Sequence, residues 1–174
     1  VCDEPVAARL SDEQRAAVRH VTGAEGLAVV VGLAGAGKST MLSAAREAWE
    51  AAGYEVRGAA LAGKAAEGLE ASSGIVSRTL ASWEHGWQAG RDAPGPGSVL
   101  VIDEAGMVGA RQMARFVAAA GEAGAKLVLV GDPEQLQPIA AGAAYRAVAG
   151  AAGYVELTEV RRQKSAWMRE ATIA

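Results

Sequence analysis

An α/β fold, a parallel sheet with helices on both faces, is predicted by three features of this chain. Apolar runs of strand length alternate with segments of helical spacing, the runs are continuous rather than alternating, and a glycine-rich string joins the first run to the helix after it. A helix opens after Ser11 and ends at His20. The strand-length runs then fall at Leu27 to Val31, Tyr54 to Ala60, Val99 to Ile102 and Lys126 to Val130, with a weaker one at Tyr154 to Leu157. Helical spacing occupies the intervals: Met41 to Ala52, Lys64 to Leu69, Thr79 to Trp87, Arg111 to Gly121 and Ala143 to Ala149. Runs such as LAVVV and LVLV suit strands buried on both sides, where no polar alternation is required. Pro94-Gly95-Pro96-Gly97 breaks every regular pattern and reads as a surface loop before the third main strand. Trp83 and Trp87, four apart on a helix, read as a core stripe.

Composition narrows the function classes. The 174 residues are 51% hydrophobic but only 5% aromatic, with 22 glycines, which allows one compact domain and excludes a disordered or collagen-like chain. No apolar run is long enough to insert in a membrane or to serve as a secretory signal, so a cytoplasmic protein is expected. The single cysteine, Cys2, excludes an internal disulfide and a cysteine metal cluster. His20 and His85 have no second ligand nearby in sequence. A net charge of −3 offers no general attraction to a nucleic-acid backbone, so any polyanion must be held by a few placed groups.

One string supplies such a place. Gly32-Leu33-Ala34-Gly35-Ala36-Gly37-Lys38-Ser39-Thr40 fits G-x-x-x-x-G-K-[ST] after a strand and at the opening of a helix, the P-loop arrangement. Gly32, Gly35 and Gly37 permit a backbone that turns successive N–H groups inward, and the helix starting near Lys38 adds its positive dipole end. A triphosphate therefore fits here, with Lys38 reaching the β and γ oxygens and the Ser39 hydroxyl ligating Mg²⁺.

Acids follow at two strand ends. Val99 to Ile102 runs into Asp103-Glu104, and a strand placed beside the first would bring Asp103 to the Mg²⁺ side of the cradle. Glu104, one residue on, is placed to polarise a water for in-line attack on a γ-phosphate. The second acid favours hydrolysis over phosphotransfer. Lys126 to Val130 leads into Gly131-Asp132-Pro133-Glu134-Gln135, where the Gln135 amide, just past a strand end, can touch both the γ-phosphate and the attacking water.

GLAGAGKST, VLVIDEAGMV, GDPEQLQPI and LTEVRRQ, in that order and spacing, resemble motifs I to IV of superfamily 1 DNA helicases of the RecD-like branch, over nearly the whole chain. LSDEQRAAV and ALAGKAAEGL make it most similar to the helicase part of the Ti-type conjugative transfer relaxases. The resemblance implies a RecA-like P-loop NTPase fold and an ATP-dependent DNA helicase with ATP and Mg²⁺ as cofactors. It implies that Gln14 reads adenine, although Ser11 with Gln14 three residues later also forms a capping box. Arg162 resembles the arginine of motif IV that touches the γ-phosphate, with Arg161 as the alternative. Lys64 in a motif Ia-like segment, and Arg78 with Thr79 in the next, would meet single-stranded DNA.

Residues 1–174 are then expected to be one RecA-like motor domain, a fragment of a longer protein. The implied partners are single-stranded DNA, a second RecA-like domain and a relaxase domain of the same full-length chain, and the conjugative transfer machinery. Two other readings stay open on the motifs alone: a small P-loop kinase, and a binding module that uses nucleotide as a switch.

Overall fold

The computed structural model describes residues 9–33, 35–136 and 142–158. Its chain order is α1 (Asp12–Val21), β1 (Leu27–Gly32), α2 (Lys38–Ala51), β2 (Glu55–Ala60), α3 (Gly63–Ser73), β3 (Ser77–Thr79), α4 (Leu80–Gln88), β4 (Ser98–Ile102), α5 (Ala110–Ala123), β5 (Lys126–Gly131), α6 (Ala143–Ala152) and β6 (Val155–Leu157). The six strands form one sheet in the order β3-β2-β4-β5-β1-β6, and every pairing is parallel.

Strand residues alternate between two cores. Ala28, Val30, Val56, Val99, Val101, Val128 and Val130 pack with Ala17, Val21, Met41, Leu42, Trp49 and Leu69 of α1, α2 and α3. Their neighbours Val29, Val31, Leu100, Ile102, Leu127 and Leu129 pack with Leu80, Trp83, Met113, Phe116, Tyr145 and Ala149 of α4, α5 and α6. A continuous apolar run thus feeds two faces at once, which is why the central strands show no polar alternation. No described helix is long and apolar enough to cross a membrane.

Two features depart from the expected arrangement. β4 does not lie beside β1, because β5 sits between them; Asp103 therefore ends a strand two places from the phosphate loop, about 10 Å away across the sheet. The segment at Thr79, expected to open a helix, instead ends a short edge strand, and Thr79 caps α4 by accepting from the Ser82 N–H at 3.1 Å. The tryptophans do form a core stripe. Trp83 is buried and donates its indole N–H to the Gly58 carbonyl at 2.8 Å, and Trp87 packs on Phe116 with ring centroids 4.9 Å apart.

Because all strands run one way, their C-terminal ends share one edge. β1 and β5 are neighbours, yet the helices that follow them, α2 and α6, pack on opposite faces. The chain therefore parts at this pair of strands and leaves the crevice in which open α/β sheets bind ligands.

Candidate functional site

The phosphate loop is built by close packing as much as by backbone freedom. Gly35 and Gly37 have φ of 79° and 84°, a left-handed conformation in which a side chain is strained. Gly32 is required for a different reason: a Cβ there would sit 2.8 Å from Lys38 Cγ and 2.9 Å from its Cδ. The lysine stem lies across the glycine, and its ammonium donates to the Gly32 carbonyl at 2.7 Å. Ala36 is buried in the α1/α2 core and anchors the loop, while its N–H closes a turn onto the Leu33 carbonyl. Gly37 then caps α2, which starts at Lys38, with Ser39 half-buried and Thr40 exposed in its first turn. Ala34 lies outside the described residues.

Gln14 forms the capping box expected of it and a second contact that the sequence did not suggest. Its side-chain carbonyl accepts from the Ser11 N–H at 3.0 Å while its own N–H donates to Ser11 Oγ at 3.1 Å, a complete capping box. Its Nε2 also donates to the Gly37 carbonyl at 3.1 Å. One buried amide therefore ties the start of α1 to the phosphate loop, and each polar atom keeps capacity for a second bond.

The acids stand across the crevice. Asp103 is half-buried, and its Oδ1 accepts the Glu104 N–H at 2.9 Å. Burial pushes its carboxyl above the usual carboxylate range, against the opposing pull of that hydrogen bond and of the Lys38 charge. A carboxyl in this condition gains most from a cation. Glu104 is exposed and holds φ at 51°, a conformation non-glycine residues rarely adopt, as the chain turns sharply into the 3-10 turn Ala105–Met107. Ser39 and Asp103 offer the hard oxygen donors that Mg²⁺ prefers, and the loop offers the N–H lining a triphosphate needs. The residues present fit both groups.

Gln135 falls in the 3-10 turn Pro133–Leu136 directly after β5, the strand beside β1. That turn is opened by a residue the motif reading passed over: Asp132, whose Oδ1 accepts the Glu134 N–H at 3.0 Å. The Asp-Pro dipeptide after a strand was the available signal. Tyr145 was also missed. It is fully buried on α6, donates its hydroxyl to the Val30 carbonyl of β1 at 2.9 Å, and is held far above the ordinary phenol range by burial, reinforced by the charges of Asp132 and Asp103. A lone tyrosine in an alanine-rich helix gave no sequence signal. Arg161 and Arg162 lie outside the described residues.

The residues assigned to DNA separate. Lys64 is exposed in the first turn of α3, at the C-terminal edge of the sheet. Thr79 caps α4 at the end of β3. Arg78 points to the α4 side, where its guanidinium lies 4.5 Å from the Trp83 ring centroid and pairs with Asp92 at 3.2 Å.

The chain is also similar to known proteins in sequence and in fold. The AAA domain family profile matches residues 9–174. The chain is 64% identical over 165 residues to the probable conjugal transfer protein TraA of Sinorhizobium fredii, an alignment covering 95% of this chain and 15% of that protein. It is 37% identical over 158 residues to the ATP-dependent RecD2 DNA helicase of Deinococcus radiodurans, covering 88% of this chain and 22% of the relative. The crystal structure of the Pif1 helicase from Candida albicans shares the fold, with a TM-score of 0.62 at 23% identity, over 89% of this chain and 41% of that one. The chain thus spans less than a quarter of these two sequence relatives, and neither of them favours a kinase or a nucleotide-switched binding module. Taken with its phosphate loop and motif order, these matches show that the chain belongs to the AAA domain family, with sequence similarity to a RecD2 DNA helicase and to conjugal transfer proteins.

Proposed function

We propose that this domain is the ATP-hydrolysing motor of a DNA helicase that acts in conjugative transfer, the first of two RecA-like domains in a longer chain that also carries a relaxase. The observation that carries the reading is the convergence of Lys38, Ser39, Asp103 and the turn bearing Gln135 on the crevice beside β1 and β5. The 64% identity to a conjugal transfer protein supports the biological setting.

Lys38, now folded onto the Gly32 carbonyl, swings to the β and γ oxygens of ATP, and the loop N–H groups line the phosphates. Ser39 and Asp103 hold Mg²⁺, which when bound neutralises phosphate charge. Gln14 contacts adenine with its remaining donor and acceptor. Glu104 orients and deprotonates the attacking water, Gln135 senses the γ-phosphate, and Arg162, with Arg161 as the alternative, stabilises its charge in the transition state. Single-stranded DNA is met at the C-terminal edge by Lys64 and Thr79. Arg78 is engaged with Asp92 and Trp83 and is assigned no DNA contact.

The test uses the full-length protein. Lys38→Ala should abolish nucleotide binding, whereas Glu104→Gln should retain it and lower the ATPase rate by about 10²–10⁴-fold, the usual contribution of a positioned base. Equal rates for wild type and Glu104→Gln, with binding intact, would remove Glu104 from the reaction.

A further inference from the structure

The carbonyl of Gly37 accepts hydrogen bonds from two different helices. The Met41 N–H of α2 donates to it at 3.0 Å, and Gln14 Nε2 of α1 donates to it at 3.1 Å. The cap of α2 is this glycine, left-handed at φ 84° and ψ 28°, so no side chain of its own holds the start of that helix. Gln14 holds it from outside. The amide is itself fixed at its other end, where Oε1 accepts from the Ser11 N–H at 3.0 Å. Turning it over would set N–H against N–H and oxygen against oxygen, so the nitrogen faces the loop. Gln14 is only 3% exposed, and a bond it gave up would not be replaced freely by water.

We propose that Gln14 is a positioning residue for the triphosphate: it holds the phosphate loop in the shape that accepts phosphates, whatever base the nucleotide carries. This rests on the reading of the loop as a triphosphate site and adds to base recognition a role that needs no base. Gly35 and Gly37 supply left-handed turns, but glycine loses more conformational freedom on ordering than any other residue. That loss opposes phosphate binding unless the loop is ordered beforehand, and a bond from a buried amide on another helix orders it. The bond falls at the right point in the chain. Ala36, on one side of Gly37, is packed in the core with α1 and α2 residues, while Lys38, on the other, sends its side chain back across the loop to the Gly32 carbonyl. Gln14 thus fixes the residue from which the lysine departs.

The experiment measures the affinity of the full-length protein for ATP and for inorganic tripolyphosphate, each with Mg²⁺, together with Tm. The variants are Gln14→Met, Gln14→Glu, Ser11→Ala and Lys38→Ala. Gln14→Met is neutral and of similar length but donates nothing, so it should weaken tripolyphosphate about three- to tenfold, the weight of one hydrogen bond, and ATP by more. Gln14→Glu keeps an oxygen for the Ser11 N–H and turns another on the Gly37 carbonyl; it should weaken tripolyphosphate at least as much although the cap of α1 survives. Ser11→Ala removes the Oγ half of the cap and leaves the amide, so it should lower Tm with both affinities within about twofold. Loss of ATP affinity in Gln14→Met with tripolyphosphate unchanged overturns the proposal and leaves the triphosphate site intact, because the amide would then serve the base alone. An equal loss in Ser11→Ala overturns it as well, since the start of α1 rather than the amide would be responsible. Wild-type protein that takes no tripolyphosphate has no pre-set loop, which also overturns it. Unchanged tripolyphosphate binding in Lys38→Ala removes the triphosphate reading of the loop, and the proposal with it.

Discussion

Gly37 shows how one position serves two constraints. Its φ of 84° strains any side chain, and a Cβ would fall 2.2 Å from Gln14 Nε2. The glutamine end can move aside, but only by giving up its bond to the Gly37 carbonyl. Gly37→Ala should therefore cost about 1–2 kcal/mol of backbone strain and about 1 kcal/mol for the lost bond, with nucleotide affinity falling alongside. Gly121, inside α5 with nothing within 4 Å of its Cβ position, is the contrast. There Gly121→Ala should stabilise by about 0.5–1 kcal/mol, since only helix propensity changes. Paired thermal melts and a nucleotide titration check both, and a Gly37→Ala protein as stable as wild type would contradict the packing account. Glu104 stores strain of the same kind. It holds a left-handed backbone at an exposed strand end, where the chain enters the 3-10 turn Ala105–Met107.

Between elements, α4 and α5 are joined by Glu84, which accepts from Gln112 at 3.0 Å and pairs with Arg115. The hydrogen bond from Arg115 holds the Glu84 carboxyl below its ordinary range, although partial burial opposes it. A lowered folded-state value means the tie contributes above the unfolded carboxylate pKa of about 4.3 and is lost as pH falls through the lower folded value. Arg115→Ala should thus lower Tm at pH 7, and the gap from wild type should close as the pH drops below about 4. A gap that stays constant with pH would mean that packing, not the ion pair, joins these helices. The elements also show what was legible. β1, β4 and β5 were plain because both their faces are apolar, whereas β3 is three residues, Ser-Arg-Thr, and its strand form comes from pairing with β2. The order of strands was not legible: nothing local to Val99–Ile102 or Lys126–Val130 states which of them adjoins β1.

For the whole molecule, the same division explains the site. Lys38, Ser39, Asp103 and Glu104 were readable because phosphate chemistry demands fixed residue types at fixed offsets from strand ends. Asp132 and Tyr145 were not: Tyr145 acts through a partner distant in sequence, Val30, and Asp132 through a turn whose shape the motif does not state. Charge belongs to this scale too. With a net charge of −3, this chain carries no net basic charge to draw in DNA, and under the proposed function a single strand would be held by individual cations at the C-terminal edge. Each phosphate contact on a single strand contributes about −0.7 to the slope of log K against log salt. Lys64→Ala in the full-length protein should therefore weaken single-stranded DNA binding and make that slope shallower by about 0.7. Arg78→Ala should leave the slope unchanged, because its guanidinium is already held by Asp92 and stacked on Trp83. Binding isotherms at several salt concentrations separate the two, and a slope that changes with Arg78 but not with Lys64 would move the DNA path from the α3 end of the sheet edge to the surface where Arg78 meets Trp83 and Asp92.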